Sequence, residues 1–290
     1  MKKSETLKFN STPKQIASCL MKPFADSFVM MNPMRRAKKN CVNLNYYNEK
    51  PNIGDVLSPV VVNYMLFREG LSLEKRTGST KHLYAVGSVI TSGLQDCTIW
   101  GSGVLHSTLG YRLKNRRLDI RAVRGPISRM VLMEYGYEVP RVYGDPAILL
   151  PLIYQPKPVK KTHKYGLIVH INGNSILEKA GAYLGDEAKY IDVQTTDYID
   201  FIDSIMSVDY VLSSSLHGII LAESYGVPAV LVKPNYSLLK YYDWYLSTGR
   251  NDFPVIENIV ELRHMTFPDL PDLDSLRIGL ENSFPYDLFD

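Results

Sequence analysis

The segment 213–218 (SSSLHG) places three hydroxyls and an imidazole in one turn. A strand-like apolar run over 210–212 precedes it, and a helical pattern that ends at Gly226 follows it. A second apolar run over 228–232 completes a strand-turn-helix-strand unit, which is typical of a parallel sheet. Open α/β sheets bind ligands at the carboxyl ends of their strands, and helix N-termini attract anions. We therefore predict an anion site in this turn, with the titratable His217 beside it.

Four other turns at predicted strand ends contain residues that can do chemistry. They are NIGD at 52–55, WGSG at 100–103, RGP at 124–126 and YGDP at 143–146. Glycines in such turns let the backbone approach a ligand closely, although a lone GxG more often marks an ordinary turn. We interpret His106, just beyond the second turn, as a surface histidine.

Each candidate side chain in these turns also has a structural interpretation. Asp55 is an acid or base in a cleft, or else it caps a helix beginning near Ser58. Arg124 can bind carboxylate or phosphate in a bidentate manner, or form a salt bridge. Asp145 is a turn former when taken alone. His170, at the end of another strand-like run, can equally be a core histidine.

The intervening pattern predicts an α/β protein made of two Rossmann-like domains that face a cleft. A Pro- and Lys-rich stretch over 151–164 separates the halves, so we expect domains over 1–155 and 156–290. Strands are predicted at 41–47, 83–90, 98–104, 119–123, 139–143, 165–170 and 189–193. Helices are predicted from Ser58, at 126–135, 175–183 and 198–206.

The composition excludes several classes of protein. The 290 residues are 45% hydrophobic and 22% charged with a net charge of +3, which is ordinary for a globular protein and gives no indication of nucleic-acid binding. Three cysteines without a CxxC pair argue against a disulfide framework or a zinc site. No signal peptide or membrane span is predicted, so a cytoplasmic location is expected. The basic cluster Arg35, Arg36, Lys38 and Lys39 is a solvated face or, alternatively, a contact with anionic lipid at the inner face of the plasma membrane.

The order of these motifs (NxGD, WGSGV, VRGPxS, YGDPA and SSSLHGxxxAExYGxPA) resembles the polysaccharide pyruvyltransferase family. The resemblance runs from about Asn52 to Pro228, and the paired VRGP and SLHG motifs are its specific part. It implies a fold like that of two-domain GT-B glycosyltransferases. It also implies transfer of the enolpyruvyl carbons of phosphoenolpyruvate onto two hydroxyls of a hexose, with formation of a pyruvate ketal and release of phosphate. No cofactor or metal is expected beyond this donor substrate.

The resemblance also implies roles for individual residues. The acceptor is a polysaccharide or its lipid-linked precursor, as in exopolysaccharide or capsule biosynthesis. Arg124, in the acceptor-side domain, corresponds to the donor-binding arginine, and His217 lies in the donor-side domain. The expected catalytic residues are His217, Asp55 and His170. The expected substrate-binding residues are Arg124, Ser213, Ser214, Ser215, Gly218, Gly54, Asn52, Gly101, Ser102, Asp145 and Lys233.

One departure from the family pattern affects donor binding. Many relatives have an arginine where this chain has Ser215, so the hydroxyls of 213–215, the helix N-terminus and Lys233 are expected to substitute for it. Two other functions stay open at this point. They are a GT-B glycosyltransferase that uses a nucleotide sugar, because fold does not fix chemistry, and a non-catalytic saccharide-binding protein.

Overall fold

Nine strands form two all-parallel sheets in the computed structural model, which describes residues 37–263 and 265–290. Arg35 and Arg36 lie outside the described residues, so the predicted membrane contact of the basic cluster stays a prediction. The strands of the first sheet are β1 (Val42–Asn45), β2 (Lys81–Tyr84), β3 (Cys97–Trp100) and β4 (Leu118–Ala122). Those of the second are β5 (His163–Ile168), β6 (Ala188–Tyr190), β7 (Val208–Ser213), β8 (Ala229–Val232) and β9 (Val255–Ile256).

Seven α-helices accompany these strands in the described part of the chain. They are α1 (Ile53–Arg68), α2 (Pro126–Glu134), α3 (Ser175–Leu184), α4 (Tyr198–Met206), α5 (Leu216–Ser224), α6 (Leu239–Ser247) and α7 (Asp274–Asn282). The predicted α/β class is therefore confirmed, since the structure has two parallel sheets with helices. The finer likeness to GT-B enzymes stays a prediction.

The second sheet has the strand order β6-β5-β7-β8-β9, so the chain adds β6 on one side of β5 and then β7 on the other side. In an open parallel sheet such a change of direction creates a crevice at the carboxyl ends of the two adjacent strands, which here are β5 and β7. His170 follows β5, and the turn of 213–218 follows β7. A hydrogen bond from the His170 backbone N–H to the Ser214 hydroxyl, 3.0 Å long, joins the two strand ends. The topology thus brings two of the predicted motifs to one point.

The first sheet has the simple order β1-β2-β3-β4, and the NIGD, WGSG and RGP turns follow its strands. Helix α1 begins at Ile53, five residues before the predicted start near Ser58, and Pro59 lies inside it. The reason is Asn52, whose side chain accepts a hydrogen bond from the Gly54 backbone N–H and caps the helix. Asp55 consequently lies in the first helical turn and is not the cap.

The two halves of the chain share one apolar core. The largest buried cluster includes Leu57 of α1, Trp100 of β3, Ile220 of α5 and Phe289 near the C-terminus. The Trp100 indole N–H donates to the Leu280 carbonyl of α7. The division at residue 155 stays a prediction, but the C-terminal residues pack against the first sheet rather than against the second.

Two local predictions need correction. The stretch 139–143 was expected to be a strand, but it contributes only an isolated bridge between Tyr143 and Val123. The Pro- and Lys-rich stretch begins within a buried 3₁₀ helix, Pro146–Leu152, that packs against α1 and α5. Its proline-containing start therefore belongs to the core, and only the residues beyond it form an exposed connection to β5.

Candidate active site

A cavity of about 300 Å³ lies where the ends of the strands from both sheets meet. This volume is at the lower end of the range for ligand pockets. Residues from both halves line it, and they include five of the predicted site residues: Asn52, Asp55, His170, Ser215 and His217. The structure thus brings the NxGD turn, the SLHG turn and the end of β5 to one cavity.

His217 is held between Asp145 and Gly54. Its Nε2 atom lies 3.5 Å from Asp145 Oδ2, which is within ion-pair distance, although neither of these buried atoms has a hydrogen-bond partner. On the other side of the ring, a Cβ atom added to Gly54 would lie 1.8 Å from His217 Nδ1. Residue 54 must therefore be glycine for the imidazole to occupy this position. A protonated His217 would gain a direct charge interaction with Asp145.

Asp145 itself does not line the cavity, because it is completely buried behind His217. Its Oδ1 atom accepts a hydrogen bond from the Ala147 backbone N–H and so caps the 3₁₀ helix Pro146–Leu152. The expected contact of Asp145 with substrate stays a prediction. The geometry instead makes it a positioning residue for His217.

Asp55 is the second titratable group on the cavity wall. Burial raises the pKa of its carboxyl to about 6, and Asp145 acts in the same direction, whereas His217 and Lys240 oppose the shift. A carboxyl that titrates near neutrality can accept a proton from a substrate hydroxyl at pH 7. Asp55 and His217 are thus two titratable side chains that line one cavity, one from each half of the chain.

Lys240 of α6 and His170 complete the titratable groups near this pair. Burial lowers the pKa of Lys240 to about 7, with Arg124 adding to the effect and Asp55 opposing it. Burial, together with Lys240 and His217, lowers the pKa of His170 to about 3. His170 is consequently neutral at physiological pH, so that it cannot serve there as an imidazolium acid. Its ring packs against Tyr236 at a centroid distance of 4.7 Å.

Arg124 lies directly behind the cavity wall and is fully buried. Its guanidinium donates hydrogen bonds to Asp243 of α6 (3.0 Å), to the Ser88 hydroxyl (2.5 Å) and to the Val104 carbonyl (3.0 Å). A Cβ atom on Gly103 would lie 2.3 Å from the guanidinium carbon, which explains the second glycine of the WGSG turn. Arg124 therefore does not reach the cavity, and its predicted contact with the donor stays a prediction.

The middle of the chain is similar in sequence to a known protein family. A sequence model of the polysaccharide pyruvyl transferase family matches residues 96–236, which include β3 to β8 and the SLHG turn. The resemblance to polysaccharide pyruvyl transferases is confirmed for these residues.

Two relatives extend the comparison. The chain is 28% identical over 215 residues to the uncharacterized protein L143 of Acanthamoeba polyphaga mimivirus, covering 70% of this chain and 73% of that protein. It is 26% identical over 175 residues to the succinoglycan biosynthesis protein ExoV of Rhizobium meliloti (strain 1021), covering 58% of this chain and 54% of ExoV. The chain thus spans about half the length of ExoV.

Several residues expected to bind substrate from the pyruvyl transferase motifs do not line the cavity. The Ser213 hydroxyl donates to the Ser215 carbonyl, and the Ser214 hydroxyl accepts from His170, so both shape the turn instead. The Lys233 ammonium is exposed and paired with Glu257. The remaining residues in this group are Gly54, Gly101, Ser102 and Gly218, which lie in or behind the turns.

The cavity also contains side chains that the sequence did not indicate: Tyr47, Ser88, His106, Tyr236 and Lys240. His106, which was interpreted as a surface histidine, is half-buried and lines the cavity. Lys240 lies on α6, a helix for which no element was predicted, and it had no detectable signal in the sequence.

Two negative findings apply to the part of the chain that the structure describes. No group of three or more His, Cys, Asp or Glu side chains in residues 37–263 and 265–290 is placed to hold a metal ion. Within the same residues, no helix is long and apolar enough to cross a membrane.

Proposed function

We propose that the chain is a polysaccharide pyruvyltransferase that uses phosphoenolpyruvate as donor and two hydroxyls of a hexose as acceptor. The observation that carries this proposal is the Asp55–His217 pair, which faces one cavity, and the match of residues 96–236 to polysaccharide pyruvyl transferases supports it. The name of the relative ExoV supports an exopolysaccharide, or its lipid-linked precursor, as the acceptor. We keep a two-domain GT-B arrangement, a cytoplasmic location and peripheral membrane contact as parts of this proposal.

The reaction requires two proton movements. The methylene carbon of the donor gains a proton and becomes the methyl group, which leaves an oxocarbenium-like centre at C2. One sugar oxygen bonds to C2, the bond between C2 and the phosphate oxygen breaks, and a second sugar oxygen closes the ketal ring. The two acceptor hydroxyls lose two protons in total. One of them equals the proton gained by the methylene carbon, and the other is carried away by the released phosphate. The site must therefore both remove and supply protons.

Asp55 and His217 divide these tasks in our proposal. Asp55 takes the proton from an acceptor hydroxyl, because its raised pKa makes it a base near neutrality. His217 donates a proton to the methylene carbon or to the departing phosphate. Its Nε2 atom faces the buried Asp145, and the imidazole ring forms part of the cavity wall. Tyr47 and Tyr236 add aromatic surface that suits a sugar ring.

The test is release of phosphate from phosphoenolpyruvate in the presence of candidate glycans. The glycans are oligosaccharides of several exopolysaccharides, succinoglycan included, treated with mild acid to hydrolyse any existing ketals. We expect acceptor-dependent release, reduced about 10²- to 10⁴-fold in His217→Asn. The control is His163→Asn, at the amino end of β5 and away from the cavity. Turnover of a nucleotide sugar instead, or glycan binding with no phosphate release, would refute the proposal.

The pH dependence provides a second, more specific test of Asp55. The base must be ionised, and its pKa is about 6, so kcat/KM is expected to fall about tenfold for each pH unit below 6. In Asp55→Asn this acidic limb disappears along with most of the activity. Because the charge of Lys240 lowers the pKa of Asp55, Lys240→Met moves the limb to higher pH. An unchanged limb in both variants would show that another group is titrating.

A further inference from the structure

Lys240 is a buried cation that faces the cavity without a counter-ion. Its side chain is 9% exposed, and no carboxylate of the described residues lies within 4 Å of the ammonium. The nearest groups are the rings of Tyr236 and Tyr241, whose centroids lie 4.8 and 5.2 Å from Nζ. Burying an ammonium without a hydrogen-bonded partner costs free energy, and an anion in the cavity would supply that partner.

The surroundings of Lys240 increase the positive potential at this end of the cavity. Arg124 lies behind it and disfavours its charged form, whereas Asp55 is the carboxyl that favours it. The charge of Lys240 also lowers the pKa values of His106 and His170. Both histidines are therefore biased towards the neutral form, and the ammonium is the cationic group available to a ligand.

The first turn of α5 offers further donors to the same cavity. Ser215 is its N-cap residue, but the Ser215 side chain makes no capping hydrogen bond. Ser215, Leu216 and His217 all line the cavity. The unpaired N–H groups at a helix N-terminus and the helix dipole both favour an anion. Ser88, whose hydroxyl accepts from Arg124, lines the cavity as well.

We propose that Lys240 and the first turn of α5 together bind the phosphate group of a phosphate monoester. This site is inferred from the placement of Lys240 and of the first turn of α5 on one cavity, and only the identity of the ester as phosphoenolpyruvate rests on the proposed function. Phosphate suits the site better than carboxylate, because its three terminal oxygens can accept from the ammonium and from several helix N–H groups at once. Lys240 is thereby a substrate-binding residue on α6, outside the strand-end turns that carry the sequence motifs.

The experiment measures binding of inorganic phosphate, phosphoenolpyruvate and pyruvate by calorimetry to the wild type, Lys240→Met and Lys164→Met. Methionine keeps the apolar stem that contacts the tyrosines but removes the charge. We expect Lys240→Met to weaken phosphate and phosphoenolpyruvate about 10- to 100-fold. Lys164→Met is the matched control, since the Lys164 ammonium also lies over a tyrosine ring, 5.0 Å from the Tyr165 centroid, but is exposed and outside the cavity. It should bind both ligands as the wild type does.

A second measurement keeps the proposal testable if Lys240→Met fails to fold. In the wild-type protein, acylation of Lys240 is followed by peptide mass spectrometry with and without about 10 mM inorganic phosphate, which is tenfold above a Kd of about 1 mM. We expect phosphate to protect Lys240 and to leave acylation of Lys164 unchanged. Equal acylation of Lys240 in both samples would overturn the site.

The outcomes separate this inference from the proposed function. If phosphate binding depends on Lys240 but no pyruvyl transfer occurs, the anion site stands and the function fails. If transfer occurs and Lys240→Met shows an unchanged KM for phosphoenolpyruvate, the function stands and the site is overturned. Dependence on Lys240 for pyruvate but not for inorganic phosphate would also overturn the phosphate assignment, because it would show a carboxylate site.

Discussion

At the scale of single residues, the site is built from charged groups that are kept away from water. Asp55, Asp145 and Lys240 are each at least nine-tenths buried. Their partners are incomplete, since Asp145 Oδ2 and His217 Nε2 have no hydrogen bond and Lys240 has no counter-ion. Such an arrangement costs free energy in the folded protein. Bound substrate would supply the missing interactions and offset this cost. Reactive groups at functional sites are often held in this way.

Asp145→Asn tests the positioning role at this scale. Asparagine keeps the oxygen that caps Ala147 and removes the negative charge near His217. We expect kcat to fall about 10²- to 10⁴-fold, as in other carboxylate–histidine pairs, with little change in KM for phosphoenolpyruvate. Nitrogen NMR of the His217 ring should show an altered tautomer. A normal kcat with an unchanged ring spectrum would contradict the role.

The sequence predicted that Asp55 and His217 lie close together, because each follows a predicted strand and the strand ends of parallel sheets converge. Asp145 was predicted to follow a strand over 139–143 that the structure does not contain. Lys240 could not be found in this way. It lies on α6, whose Asp243 pairs with Arg124 and accepts from Ser128 of α2. That contact joins residues more than one hundred positions apart and leaves no periodic signal.

At the scale of elements, two helix N-termini meet at the site. Helix α1 begins next to the second sheet, because the Ile53 backbone N–H donates to the Val193 carbonyl beyond β6. Helix α5 begins at the carboxyl end of β7 and carries His217 in its first turn. Gly54 and His217 are in contact where these helices approach each other. The absence of a side chain at Gly54 thus sets how closely the two halves approach.

Gly54→Ala tests this contact. The added Cβ would lie 1.8 Å from His217 Nδ1, so the imidazole must shift relative to Asp145. We expect at least a tenfold loss of kcat/KM in a protein that still folds, as judged by circular dichroism; a 1 Å misplacement can cost about 10²-fold. Gly78→Ala is the control, since nothing lies within 4 Å of a Cβ there. Equal activity in the two variants would show that the contact is unimportant.

Element types near the motifs were predictable, whereas element ends were less so. The helices over 126–134 and 198–206 were predicted to within a residue, because Pro126 at the first helical position and Asp197 as N-cap determine their starts. The start of α1 was missed, because Pro59 suggested a first turn that Asn52 had already begun. Helices α6 and α7 were not predicted at all, since both lie beyond Pro228, where the recognised motifs end.

At the scale of the whole molecule, the C-terminal residues close the structure over the first sheet. Phe284 packs edge-on against Trp100 at a centroid distance of 4.8 Å, and Phe289 is fully buried in the shared core. The Arg121 guanidinium pairs with Asp287, and the Lys81 ammonium donates to the Leu288 carbonyl. The end of the chain therefore stabilises the half that carries Asp55. A domain boundary chosen from composition could not show that the C-terminal residues pack back against the first sheet.

Phe289→Ala tests the stabilising role of this return. Removal of a fully buried phenylalanine side chain should lower the free energy of unfolding by about 3–5 kcal/mol. Phe67→Ala is the matched control, because Phe67 is 81% exposed and should change the stability by no more than about 0.5 kcal/mol. Urea unfolding monitored by tryptophan fluorescence measures both. Similar midpoints for the two variants would show that the C-terminal residues do not stabilise the fold.

The central claim is that this cavity joins the carbons of phosphoenolpyruvate to two sugar hydroxyls, and transfer of label tests it most directly. The protein is incubated with phosphoenolpyruvate carrying ¹³C at C2 and with acid-treated oligosaccharides, and the glycans are then examined by ¹³C NMR and mass spectrometry. We predict that the label enters the glycan as a quaternary carbon bonded to two sugar oxygens, with one phosphate released for each carbon transferred. Recovery of all the label as unreacted donor or as free pyruvate, with every acceptor unchanged, would contradict the account.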